Sequence, residues 1–233
     1  MQDYSTFNWY EDPQWWIVIA TFTASIVALL ISISGIFQEW IRKLFYHPKI
    51  NISIKPTSPD CQKIPFTDPA TGQRVYDSYY LRFRVENTGN YHLEDTEAIV
   101  TEVFEKAANG EYRQKENFLP LNLVWAHKKL VSMPKVQPKL FKHLNFGCIV
   151  KSEFARLNYF GITEKANIVF KFCFGIEPNH GSHILLPGDY KITIKLASNN
   201  LSPITATYNL VIADKWDDDE KEMLQNNISM SVA

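Results

Sequence analysis

The first 41 residues contain neither lysine nor arginine, and between Ile17 and Phe37 there is no charge of either sign. An uncharged apolar run of that length excludes a solvated surface segment and exceeds what a buried strand needs. Cysteine is scarce: Cys61, Cys148 and Cys173 are scattered and odd in number, which excludes a disulfide framework and fits a reducing compartment. No glycine-rich loop leads from a strand into a helix, and no serine sits in a nucleophile-elbow context, so neither a phosphate loop nor a serine-hydrolase site is legible. A net charge of −1 removes the electrostatic case for a nucleic-acid binder. No internal repeat, long linker or low-complexity tract interrupts the chain.

What is present begins with that run. At about 1.5 Å per helical residue, Ile17 to Phe37 matches the roughly 30 Å hydrocarbon thickness of a bilayer and reads as a transmembrane helix. The segment before it is acidic, whereas Arg42, Lys43 and Lys49 follow it. The positive-inside bias therefore puts the N-terminus outside and the C-terminal part in the cytoplasm of a single-pass inner-membrane protein. A cleaved signal peptide would need a basic start, a shorter apolar core and a small-residue cleavage site. Trp9, Tyr10, Trp15 and Trp16 gather at one end and Trp40, Phe45 and Tyr46 at the other, as rings settling at headgroup depth would. Trp15, Trp16, Trp40, Arg42 and Lys43 are thus the expected membrane-interface residues. The helix is expected to run on to Tyr46 and stop before Pro48. Ala20, Ala24, Ala28 and Ser32 recur every fourth residue as a stripe of small side chains, extended by Thr21 and Ser25. Such a stripe either mediates self-association or pairing with a membrane partner, or reflects the ordinary composition of spans.

From Ile50 the pattern changes to alternation, beginning with Ile50, Ile52 and Ile54. Residues 56 to 77, rich in proline and holding a Thr71-Gly72 turn, are expected to be a loop or an irregular excursion, long enough to be a candidate binding loop or merely a structural connection. Tyr79, Leu81, Phe83 and Val85 alternate with polar residues up to a turn at Asn87-Thr88-Gly89-Asn90. Ala98 to Glu105 carries apolar residues at both parities and reads as a strand covered on both faces. Asn109-Gly110 marks a hairpin. Further strands are expected around Leu121 to Trp125, Leu140 to Val150, Ile168 to Ile176, Tyr190 to Leu196 and Ile204 to Ile212, with a short helix near Lys151 to Tyr159. The sum is a transmembrane α-helix followed by an all-β antiparallel sandwich and a short acidic tail. The expected boundaries are 1–14 outside, 15–47 for the helix and its extension, 48–213 for the sandwich and 214–233 for the tail. Within the tail a short helix around Lys215 to Gln225 would give way to disorder. Its acidity reads as solvation or as docking on Arg42 and Lys43.

The stretch Leu185-Leu186-Pro187-Gly188-Asp189-Tyr190, followed by Ile192 and Ile194, resembles the loop-to-strand corner of fibronectin-type and related immunoglobulin-like domains. Leu81 to Gly89 resembles a strand and turn of bacterial adhesion-like immunoglobulin domains. The resemblance implies that the Tyr190 hydroxyl bonds back to nearby backbone while its ring packs in the core.

Residues able to carry chemistry are few. His180-Gly181-Ser182-His183 brings two imidazoles close in sequence, with Cys173 and Glu177 as the neighbouring ligand types; on this spacing the loop reads as a surface loop and no metal or other cofactor is expected. His92, His127 and His143 read as ordinary domain residues. The stretch from Trp125 through Lys128 and Lys129 to Lys135, Lys139, Lys142 and His143 either grips an anion or is a strand edge guarded by lysines. Lys128, Lys129, His180 and His183 are accordingly the candidate ligand or anion contacts. No catalytic residue is identified. The expected function is a membrane-anchored binding module that is not an enzyme, with the bilayer, a homo-oligomer or membrane partner and an unidentified ligand or protein as partners and no nucleic acid. The alternative is an oligomerising, membrane-disrupting effector whose β-domain senses a ligand, an architecture similar to that of some bacterial defence effectors.

Overall fold

Pro13 opens a helix, a position where its missing N–H costs nothing, and the computed structural model continues that helix, α1, without a break over Pro13–Phe45. The structure describes residues 13–68, 70–163 and 165–233, with backbone only at 39 and 41–43. The N-terminal acidic residues and Trp9 and Tyr10, and the side chains of Arg42 and Lys43, lie outside the described residues. Within α1, Pro13–Gln38 contains an 18-residue window of mean hydropathy 2.4 and is long and apolar enough to cross a membrane. None of its most apolar window is buried by the chain. The hydroxyls of Thr21, Thr23, Ser25 and Ser32 each donate to the carbonyl four residues back at 2.8 Å. That satisfies each hydroxyl inside its own helix.

The chain divides at His47 and Pro48 into the helical unit and a β-domain. The first strands are β1 (Ile50–Ser53), β2 (Cys61–Thr67), β3 (Arg74–Asn87), β4 (Leu93–Lys106), β5 (Tyr112–Gln114), β6 (Leu121–Asn122) and β7 (Val124–Trp125). They are followed by β8 (Ser132–Val136), β9 (Phe141–Lys151), β10 (Ile168–Phe172), β11 (Ile184–Leu185), β12 (Gly188–Ser198) and β13 (Leu201–Ile212). A turn of helix, α2 (Glu220–Glu222), and a final strand, β14 (Ile228–Val232), close the chain. One antiparallel sheet runs β1-β3-β9-β10-β11, with β2 also on β3 and β7 also on β9; the other runs β14-β13-β12-β4-β5, with β6 and β8 on β4.

Alternation explains the core. Tyr79, Leu81, Phe83 and Val85 from one sheet are buried together with Tyr190, Ile192, Ile194, Leu196, Tyr208 and Leu210 from the other. The Phe83 ring sits 4.7 Å from Tyr208 and 4.9 Å from Phe146, so aromatic contacts join the two layers. The Trp125 indole N–H, fully buried, donates to the Thr96 carbonyl at 3.1 Å and ties β7 to β4. Asn87 caps the end of β3: its amide donates to the Tyr91 and Val136 carbonyls at 2.7 and 3.0 Å, and its oxygen accepts from Gly89 N–H at 3.0 Å. At the expected corner the Tyr190 hydroxyl donates to the Leu186 carbonyl at 2.9 Å, with the ring buried.

Four expectations need correction. Residues 56–77 are not simply a loop: β2 pairs with β3 from Cys61 opposite Leu81 to Thr67 opposite Arg74, and Pro65 is tolerated because β2 is an edge strand. β4 is not covered on both faces. Thr193 pairs with Glu102 and Ile194 with Val100, so Thr101 is an extra residue, and the bulge puts Ala98, Val100 and Val103 on the same inner face. The acidic tail is neither disordered nor merely solvated. Asp219 accepts from the Lys221 and Glu222 N–H groups to start α2; Met223, Leu224 and Ile228 are buried, and β14 pairs with β13. Its acidic residues find partners within the β-domain: Glu220 accepts from Lys63 N–H at 2.8 Å, and Asp218 meets the Lys63 ammonium at 2.9 Å. Near Lys151 to Tyr159 the helix is reduced to two 3-10 turns, Ser152–Phe154 and Leu157–Phe160.

Candidate functional site

Because inner and outer residues alternate, the outer face of the first sheet collects what the core excludes. Tyr76, Ser78 and Tyr80 of β3, Asn145, Cys148 and Val150 of β9, and Lys171 of β10 line one open cleft of about 350 Å³. The backbone after β10 adds Cys173 and Glu177, and the 3-10 turn adds Phe154. Phe66, Tyr76 and Phe154 stack face to face, with successive centroids 4.8 and 4.7 Å apart, and form an aromatic wall.

The electrostatics of the cleft centre on Lys171. Its ammonium contacts the Glu177 carboxylate, which also receives His183 Nε2 at 3.1 Å. Although burial pushes Glu177 up, the hydrogen bond and charge of Lys171 hold its carboxyl below the ordinary range. His183 is almost wholly buried, with its Nδ1 unpartnered and its ring edge-on to Phe160 at 5.0 Å. Burial, reinforced by Lys171, holds the imidazole below its ordinary pKa despite Glu177. Burial likewise raises the Tyr80 phenol.

The candidate contacts read from the sequence are dispersed by the fold. Lys129 and His183 line this cleft. His180 lines another, of about 490 Å³, with Lys115, Asn117 and Ser182, and donates Nε2–H to the Asn117 carbonyl at 2.9 Å. Lys128 lines neither; like Lys129 it takes a left-handed backbone in the turn after β7, at φ 59° and 52°. His143 belongs to a third place: its Nε2 and the Arg84 guanidinium meet the same oxygen of buried Asp60, at 3.0 and 3.2 Å. That cluster anchors the turn before β2 to β3 and β9. Among the described residues no set of three or more His, Cys, Asp and Glu side chains is disposed to hold a metal ion.

The larger cleft around His180 holds fewer mutually interacting ionisable groups, so the one over β3, β9 and β10 is the better candidate site. Tyr80, Cys148 and Lys171 escape sequence reading because they are polar-face residues of strands far apart in the chain. The only signal was their position opposite the buried set. No protein-family model matches the chain, and no curated protein matches it.

Proposed function

We propose that the chain is a single-pass membrane-anchored β-sandwich that works as a binding module and not as an enzyme, its N-terminus outside and its β-domain in the cytoplasm. The observation that carries this reading is the 26-residue apolar segment Pro13–Gln38, none of whose most apolar window is buried by the chain, set beside a separately folded β-domain. Lipid is the solvent that such a surface requires. Tethering confines the β-domain to two dimensions and raises its effective concentration near membrane partners. The Tyr190 corner supports kinship in architecture with immunoglobulin-like domains, a scaffold that carries recognition on its faces and loops.

The binding face is the cleft over β3, β9 and β10. Lys129 and Lys171 offer donors to an acceptor-bearing small ligand, and the Phe66-Tyr76-Phe154 wall offers a flat apolar surface. The alternative is that a ligand in the same cleft triggers assembly of the helices into a membrane-disrupting oligomer.

Protease added to spheroplasts should leave the β-domain intact, and alkaline carbonate should leave the chain in the membrane fraction. Digestion of the β-domain from outside would refute the orientation, and release by carbonate the anchor. Liposomes loaded with dye separate the two modes: retained dye supports the tether, whereas release on oligomerisation supports the effector.

A further inference from the structure

Two of the cysteines, scattered in sequence, meet at the floor of the cleft. On the antiparallel pair β9 and β10, Cys148 stands opposite Lys171 and Gly147 opposite Phe172. Cys173 follows directly and donates its N–H to the Phe146 carbonyl at 3.1 Å. Cys148, Lys171 and Cys173 therefore share one face, and both thiols line the cleft. Gly147 keeps the strands close here, since a Cβ would overlap the Phe170 ring and the Lys171 carbonyl oxygen. Cys61 is different. It is buried in the main core, and burial pushes its thiol up to about 12.

The two cleft thiols are unequal. The neighbouring Cys173 thiol, together with the Lys171 charge, holds the Cys148 thiol below its ordinary value despite burial. The Cys148 sulfur and burial push Cys173 well above its own. An acidic, cleft-lining thiolate beside a resolving thiol is the arrangement that reacts selectively with peroxides.

The geometry points to a peroxide-reactive dithiol in which Cys148 is the attacking sulfur and Cys173 the resolving one, closing to a cross-strand disulfide at the floor of the cleft. The Cys148 thiolate attacks one oxygen of a hydroperoxide. The O–O bond breaks, sulfur is oxidised by two electrons to a sulfenic acid, and the departing alkoxide or hydroxide takes a proton. The Cys173 sulfur then attacks Cys148 Sγ, and the displaced hydroxide leaves as water with the Cys173 proton. In total, two thiols and one hydroperoxide give a disulfide, an alcohol or water, and a water. An external dithiol returns the pair to its reduced form. This site goes beyond ligand binding, and it stands whether or not the cleft takes another ligand.

The full chain, reduced in detergent micelles and freed of reductant, is treated with one equivalent of hydrogen peroxide and mapped by non-reducing peptide mass spectrometry. The expected product is an intramolecular Cys148–Cys173 link with Cys61 still a thiol. With C173S, reaction should stop at a sulfenic acid on Cys148, trapped by dimedone, whereas C61S should behave as the wild type. At neutral pH iodoacetamide should label Cys148 roughly thirty-fold or more faster than Cys61, a thiolate advantage of at least about a thousand-fold discounted for the weaker nucleophilicity of the less basic sulfur. An unchanged mass, a link through Cys61 or between chains, or sulfinic acid on Cys148 with Cys173 untouched would each overturn the proposal.

Discussion

His183 shows at the scale of one residue why adjacency in sequence is a poor guide to a site. It lies three positions from His180, yet the two imidazoles serve different clefts, one held by Glu177 and the other by the Asn117 carbonyl. Its titration has a definite sign. Burial depresses its folded pKa below the unfolded value near 6.5, so the unfolded chain binds the proton more readily. The stability that neutral His183 contributes is fully present above about pH 6.5 and is lost as pH falls towards the folded value. Urea midpoints taken at pH 7.5 and 5.5 should therefore drop more for the wild type than for H183N. Equal drops would place the pH dependence elsewhere. Glu177, whose folded value is depressed, weakens the fold only at still lower pH, outside that window. Alternation made the inward residues legible, the Tyr190 ring included, while its hydroxyl bond was implied by the resemblance to an immunoglobulin-like corner. The outward cluster was not legible, because Tyr80, Cys148 and Lys171 are joined only by strand register.

At the scale of elements, the errors of sequence reading have local physical causes. A bulge shifts side-chain parity by one, which is why β4 read as covered on both faces. An edge strand accepts proline, which is why β2 read as loop. The tail was misread because its charge dominates its composition, while the residues that dock it are few: Met223, Leu224 and Ile228. Docking makes a quantitative claim. Leu224→Ala should destabilise the β-domain by about 2–5 kcal/mol, as deletion of a buried leucine does elsewhere. Asp219→Ala, which removes the acceptor for the Lys221 and Glu222 N–H groups, should cost about 1 kcal/mol. Denaturant melts of the full chain in detergent check both, and changes within about 0.5 kcal/mol for both variants would return the tail to the solvated surface.

For the whole molecule, the division at His47 and Pro48 separates an apolar helix long enough to cross a membrane from a β-domain with its own core. The uncharged run was legible because hydrocarbon imposes a length and an absence of charge that few other environments require. The alternating segments were legible because a two-sheet core demands them. Which surface the small-residue stripe meets was not, since Ala20, Ala24, Ala28 and Ser32 satisfy helix geometry with or without a partner. If the β-domain core is complete without the helix, a chain of residues 48–233 should be soluble in plain buffer and unfold in a single cooperative transition. Its midpoint should match that of the β-domain within the full chain in micelles. The full chain should require detergent to stay dispersed. An insoluble or non-cooperative 48–233 fragment would mean that α1 supplies part of the β-domain's own core. Its apolar surface would then be a packing face and not a lipid-facing one, and the case for an anchor would fall with it.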